Sequence, residues 1–162
     1  MVKVIGIDPG LSDTGIGIVR GKGIKIHGYA YGTISTSKTE SVGCRLEKIY
    51  SKVLTVLVDE KPDLMVIEDV FSLEKYPQSG IVLGKVCGVV LLAGFQSNVS
   101  LTEIPVRQAK QILTGNGRAS KQQLELAVRS TLGLASPIKP FHASDALGLA
   151  LIGLFRYQEK RP

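Results

Sequence analysis

Asp8 closes a short apolar run, Val2 to Ile7, and is followed at once by Pro9-Gly10, while Glu68 closes a second run, Leu64 to Ile67. If those runs are neighbouring parallel strands, both carboxylates leave the sheet at one edge, and like charges held that close need a cation between them. Asp145 lies far downstream on a helical stretch that opens after Pro140, and His142, three residues before it, falls on the same helix face. Three carboxylates and an imidazole make an oxygen-rich donor set suited to a hard divalent ion. Each residue also has a plainer reading when taken alone. Asp-Pro-Gly is ordinary turn chemistry, Asp145 suits a helix N-terminus, and His142 fits a half-exposed histidine. Glu68 resists that treatment, because Ile67-Glu68-Asp69 puts acids directly after a buried-looking strand with no Gly or Pro.

The elements that must position these groups are legible as hydrophobic periodicity. Val2 to Ile7, Thr14 to Arg20 and Ile24 to Tyr31 read as three strands joined by the Gly-containing turns Pro9-Gly10 and Gly21-Lys22-Gly23, which predicts an antiparallel meander. Thr33 to Ser41 reads as a Ser/Thr-rich loop. Leu46, Ile49, Tyr50, Val53, Leu54 and Leu57 keep helical spacing until Pro62, Leu64 to Ile67 is a strand, Ser79 to Phe95 a helix, and Leu101 to Ile104 a strand ending at Pro105. The last third is mostly helical. This order predicts an α/β fold with a five-stranded mixed sheet, three antiparallel strands plus two parallel, and helices on both faces. A right-handed crossover returns the Leu64 strand beside the first one and sets Glu68 next to Asp8. No repeat, linker or composition break divides the chain, so residues 1–162 read as a single domain.

The 162 residues carry 20 Lys+Arg against 14 Asp+Glu, a net charge of +6, which favours polyanionic partners without by itself identifying one. From Pro105 to Gln123 the chain bears Arg107, Lys110, Arg118 and Lys121 and no acid, making it the segment best suited to phosphate contacts. Phe71 and Tyr76 follow Glu68 in a polar stretch, and an exposed aromatic beside a site that takes a nucleic acid can stack on an unpaired base; Tyr76, before Pro77, reads as a brace for the loop. Cys44 and Cys87 form no CxxC motif, which argues against structural zinc and suits a reducing, cytoplasmic setting. The start meets an acid at Asp8, too early for a signal peptide. The apolar stretch Gly80 to Phe95 is interrupted by Lys85 and falls short of a bilayer span, so a buried or interfacial helix is expected and no membrane. Gly80, Gly84 and Gly88 recur every fourth residue in it, at about 1 kcal/mol lost per glycine relative to alanine, and leave a bare stripe for another backbone, within the chain or in a second copy.

Taken together, Ile5-Gly6-Ile7-Asp8-Pro9-Gly10, Ile67-Glu68-Asp69-Val70-Phe71, Lys110-Gln111 with Gly115-x-Gly117 and Lys121, and His142-x-x-Asp145-Ala146-Leu147 resemble the RuvC Holliday junction resolvase family in order and approximate spacing, from about Val2 to Phe155. The resemblance implies a ribonuclease H-like fold, a homodimer, and a magnesium-dependent endonuclease, with two ions per site and manganese as an alternative, acting on four-way DNA junctions in recombination and repair. It implies that Asp8, Glu68 and Asp145 are catalytic acids and metal ligands. His142 occupies the fourth position, where many members carry Asp, and either ligates a metal or orients the attacking water. Phe71 matches the family's stacking residue, Lys110 and Lys121 match basic positions of its DNA-binding face, and the helix with Gly80, Gly84 and Gly88 corresponds to one that contributes to the dimer interface. A branch-migration helicase and a junction-binding protein, RuvB and RuvA, are the partners so implied.

Two other classes share parts of this pattern. Sugar-kinase and actin-like ATP-binding proteins also place Asp-x-Gly after a first strand on a related topology, but they need two such domains and a second phosphate loop, which this sequence does not offer. A non-catalytic junction-binding protein is the other, suggested by His142.

Overall fold

The computed structural model describes residues 1–69 and 77–157. Its elements are β1 (Val2–Asp8), β2 (Asp13–Lys22), β3 (Lys25–Ser35), α1 (Val42–Glu60), β4 (Leu64–Asp69), α2 (Pro77–Gln96), β5 (Ser100–Pro105), α3 (Val106–Thr114), α4 (Lys121–Thr131) and α5 (Phe141–Tyr157). They build one sheet in the order β3-β2-β1-β4-β5. β1 and β3 run antiparallel to β2, and β4 runs parallel to both β1 and β5, as the meander followed by crossovers predicts.

Several boundaries differ from the sequence reading. β3 continues through Ser35, because the antiparallel register with β2 persists to Asp13↔Ser35 and the Ser35 hydroxyl donates to Asp13. Thr33 to Ser35 are therefore strand, not loop. Ile24 belongs to the turn instead of the strand: Gly23 takes the left-handed conformation at φ 64°, and Ile24 is left 85% exposed. α2 starts at Pro77 rather than Ser79, in keeping with proline at a first helical position.

The two-residue strand period decides which groups face which helices. Val2, Val4, Leu64 and Val66 join the core under α5, whereas Ile5, Ile7, Met65 and Ile67 join the core under α1 and α2. Continuing the same alternation, through Gly6 to Asp8 in β1 and directly to Glu68 in β4, puts Asp8 and Glu68 on the α5 face.

α5 itself is buried almost all round from Ala143 to Leu154, between the sheet and the outer helices α3 and α4. It comes unusually close to the strands. A Cβ at Gly6 would lie 2.0 Å from the Ala146 carbonyl oxygen, one at Gly15 1.9 Å from that of His142, and one at Gly17 2.4 Å from the Leu147 nitrogen. Three strand glycines thus form the bed on which the first turns of α5, with His142 and Asp145, rest. The sequence reading passed over them as ordinary strand residues; the signal was Gly at alternate positions, Gly15 and Gly17, level with Gly6.

On the other face, Ile49, Val53 and Leu57 anchor α1, and Val86, Val90 and Ala93 anchor α2. α2 is long and apolar enough to cross a membrane by length and composition, yet one side packs into this core. Its outer side leaves Ile81, Leu92 and Phe95 exposed at 63%, 48% and 80%.

Candidate active site

Asp8 ends β1 and Glu68 stands next to last in β4, and the parallel pairing Ile7↔Ile67 sets the two carboxylates level with one another. α5 arrives over Gly15, the β2 partner of Asp8, and brings His142 with it. Asp8, Glu68, His142 and Asp145 line one cavity of about 240 Å³ with Lys110, Lys121, Leu83 and Val106. Asp145 opens the second turn of α5 rather than the first, since the helix begins at Phe141.

Within the cavity, His142 Nδ1 donates a hydrogen bond of 2.7 Å to Asp8 Oδ2. Asp8 is 7% exposed, so this pair is shielded from solvent mainly on the carboxylate side. That bond raises the His142 imidazole above its ordinary value against the opposing effects of burial and of Lys121. Burial first, then the charges of Asp8 and Asp145 and a hydrogen bond shared with Asp8, push the Glu68 carboxyl up to about 8. Burial and Asp8 push Asp145 up to about 6, partly offset by Lys121, His142 and Lys110. Negative charge is thus crowded into a partly buried space, which favours the protonated forms of Glu68 and Asp145.

Among the described residues, no three His, Cys, Asp or Glu side chains are already gathered around one ion position, and one Asp8 oxygen is engaged by His142. The donor set nevertheless fits a divalent cation. Asp145 Oδ1 is buried with no hydrogen-bond partner, three carboxylates face one space, and oxygen donors are what Mg²⁺ and Mn²⁺ take.

The basic segment divides. Lys110 and Lys121 reach the cavity wall. Arg107 is exposed and lies across the α3–α4 loop, where a Cβ on Gly117 would come within 2.9 Å of its Cγ, and Arg118 is exposed on that loop. Gln111 holds the loop from both sides, accepting from Gly117 N at 3.0 Å and donating to Gly115 O at 2.8 Å. Phe71 and Tyr76 lie outside the described residues. Gly84 and Gly88 are exposed on α2, with nothing among the described residues within 4 Å of a Cβ there, and Gly80 is half-buried. Packing among the described residues therefore does not account for Gly84 and Gly88.

Comparison with known proteins agrees with this geometry. The family model described as crossover junction endodeoxyribonuclease RuvC matches residues 4–153. The RuvC of Caldicellulosiruptor saccharolyticus is 37% identical over 151 residues, 93% of this chain and 90% of that protein. The RuvC of Fusobacterium nucleatum is 39% identical over 150 residues, covering 93% and 78%. Among solved structures, Thermus thermophilus RuvC in complex with a Holliday junction substrate superposes with a TM-score of 0.90 at 33% identity, over 98% of this chain and 96% of that one. With a family model spanning most of the sequence and relatives matched over more than three quarters of their own length, the chain belongs to the RuvC family of crossover junction endodeoxyribonucleases.

Proposed function

We propose that this protein is a structure-selective endonuclease that resolves four-way DNA junctions by paired, divalent-metal-dependent phosphodiester hydrolysis, working as a homodimer. The observation that carries the reading is the meeting of Asp8, Glu68, His142 and Asp145 with Lys110 and Lys121 in one cavity at the carboxyl ends of parallel strands, in a chain whose relatives are crossover junction endodeoxyribonucleases.

Asp8, Glu68 and Asp145 are the ligands for the divalent ions, two per site, with Mg²⁺ the expected species and Mn²⁺ an alternative. Such ions, when bound, lower the pKa of water and neutralise charge developing on the phosphate. The side chains supply the rest. Lys110 and Lys121 draw the phosphodiester toward the carboxylates, and Arg107 and Arg118 extend that basic surface along the adjoining loop. Phe71, close after Glu68 in sequence, is assigned a stacking role on an unpaired base. Hydrolysis adds water across one P–O ester bond, and the proton it releases needs an acceptor. His142 would offer one at Nε2, the ring nitrogen left free while Nδ1–H donates to Asp8, or else would itself be a ligand.

Two such sites suit a substrate with two symmetry-related strands to cut. The glycine stripe at Gly80, Gly84 and Gly88, with Ile81, Leu92 and Phe95 exposed on the same helix, is the surface we assign to the dimer. Assembly with a branch-migration helicase and a junction-binding protein, and work in the compartment that holds the chromosome, follow from that substrate.

The test is a labelled four-way junction incubated with Mg²⁺ or Mn²⁺. Paired, symmetric nicks are expected from the wild type. Asp8→Asn is expected to lose cleavage by about a thousandfold or more, since removing a residue that acts as part of a catalytic unit costs on that scale, while still shifting the junction in a gel. Binding without nicks by the wild type in either metal would make the protein a non-catalytic junction binder.

A further inference from the structure

α4 carries charged residues four apart, Lys121, Glu125 and Arg129, and that spacing sets all three on one side of the helix. Lys121 lines the catalytic cavity. Glu125, one turn on, is only 6% exposed, which is rare for a carboxylate. Its Oε1 accepts the backbone N–H of Ile138 at 2.8 Å. Arg129 Nε lies 3.2 Å from the same oxygen, as an ion pair rather than a directed hydrogen bond, and Arg129 Nη1 donates to the Ala135 carbonyl at 3.2 Å. One side of α4 therefore grips the irregular segment 132–140 at two points.

That segment leads directly into α5. Ile138 is fully buried in the core beneath α5, between Pro137 and Lys139-Pro140, and sits in neither helix nor strand. A buried amide in such a place must find an acceptor or lose the free energy of a missing hydrogen bond; Glu125 is that acceptor. Four residues beyond Ile138 is His142, and seven beyond is Asp145. The helix that brings the lysine and the helix that brings the two ligands are thus tied together by one carboxylate.

We propose that Glu125, which does not line the cavity, is a positioning residue of the nuclease centre: by holding the Ile138 amide against α4, it fixes the His142 and Asp145 turns of α5 relative to Lys121. The proposal rests on the reading of that cavity as a divalent-metal nuclease site. Partners hydrogen-bonded directly to metal ligands change metal affinity by about 10- to 100-fold when altered, and Glu125, which acts through Ile138, is expected at the low end of that range.

Two conservative variants separate this role from simple fold stabilisation. Glu125→Gln keeps the reach and the accepting oxygen but loses the charge opposite Arg129. Glu125→Asp keeps the charge but withdraws the carboxylate by one methylene from Ile138. Each is compared with wild type at a temperature well below its melting point, by Mn²⁺ calorimetry without DNA, by junction-cleavage kcat and by junction Kd. Glu125→Asp is expected to lose about tenfold in Mn²⁺ affinity and in kcat with junction Kd within about twofold, and Glu125→Gln to stay within about threefold of wild type. Wild-type Mn²⁺ affinity and kcat in Glu125→Asp, or an equal loss in both variants, would overturn the positioning role. Should the wild type bind Mn²⁺ yet cut no junction, the nuclease reading fails while the calorimetry still decides whether Glu125 sets the ligands. A wild type that binds no Mn²⁺ overturns both.

Discussion

His142 Nδ1 stands 2.7 Å from Asp8 Oδ2, so the imidazole donates to a carboxylate that also faces Glu68 in the same cavity. Burial, and then the same Asp8, raises the Glu68 carboxyl. Asp8 is therefore shared by a proton-bearing nitrogen and a second acid, and any cation entering the cavity must take its place in that arrangement. Proton and metal compete for the same oxygens.

The first expectation concerns metal choice. Imidazole accepts Mn²⁺ more readily than it accepts Mg²⁺, an ion that prefers oxygen. His142→Asp replaces nitrogen by oxygen at that position and is expected to raise relative activation by Mg²⁺ severalfold over Mn²⁺, read from paired metal-activation curves. Superimposable curves for wild type and variant in both metals would remove His142 from the ligand set.

A second expectation concerns pH. Glu68 pushed up to about 8, Asp145 pushed up to about 6 and a raised His142 all make the folded, metal-free protein hold protons that the unfolded chain releases. The stability these groups contribute is fully present below their ordinary values and is lost as pH climbs through the folded ones, so it falls from about pH 4 to about pH 8. Without divalent ions, Glu68→Gln is expected to match wild type near pH 4 and to melt higher near pH 8, by about 2–4 °C for each kcal/mol of relieved strain. Saturating Mg²⁺ should reverse that order, because only the wild type gains the ion, and proton release on binding should be measurable in buffers of different ionisation enthalpy. A metal-free wild-type melting point that holds steady across this window would contradict the charge crowding.

Lys110 and Lys121 offer a third measurement. Removing one lysine–phosphate interaction should flatten the slope of log K against log salt by about one unit. Lys110→Ala is expected to weaken junction binding almost equally across sequences while reducing that slope, and an unchanged slope would place Lys110 away from the DNA.

Much of this architecture can be read directly from residue pattern. The two apolar runs ending in Asp8 and Glu68 specify parallel neighbours because a buried strand and a polar terminus leave few other arrangements, and the helical stretch after Pro140 is recognisable from its period. What resisted reading was contact between elements remote in sequence. Thr33 to Ser35 read as a loop by composition, but pairing with β2 overrides that local preference. Glu125 looks like any exposed helix acid until tertiary packing sets Ile138 above it. The glycines divide in the same way: those on α2 attract notice through their helix penalty, whereas those on β1 and β2 cost little locally and reveal their purpose only under α5.

That contrast between glycines yields the final prediction. A methyl at Gly15 has nowhere to go, since it would lie 1.9 Å from the His142 carbonyl oxygen and 2.4 Å from its carbon, and both belong to backbone that α5 cannot bend aside without moving His142. Gly15→Ala is therefore expected to cost roughly 1–3 kcal/mol as an overpacked core position, a melting loss of about 2–12 °C, and to lower kcat further at temperatures where the protein stays folded. Gly84 has open space around it. Gly84→Ala should leave the monomer fold intact or stabilise it by up to about 1 kcal/mol through helix propensity, while Gly84→Leu should shift sedimentation toward monomer if α2 faces a second copy. The two sites thus separate glycine needed inside the chain from glycine needed between chains. A Gly15→Ala protein with wild-type melting and kcat would mean that α5 does not rest on the strands as closely as its backbone atoms indicate.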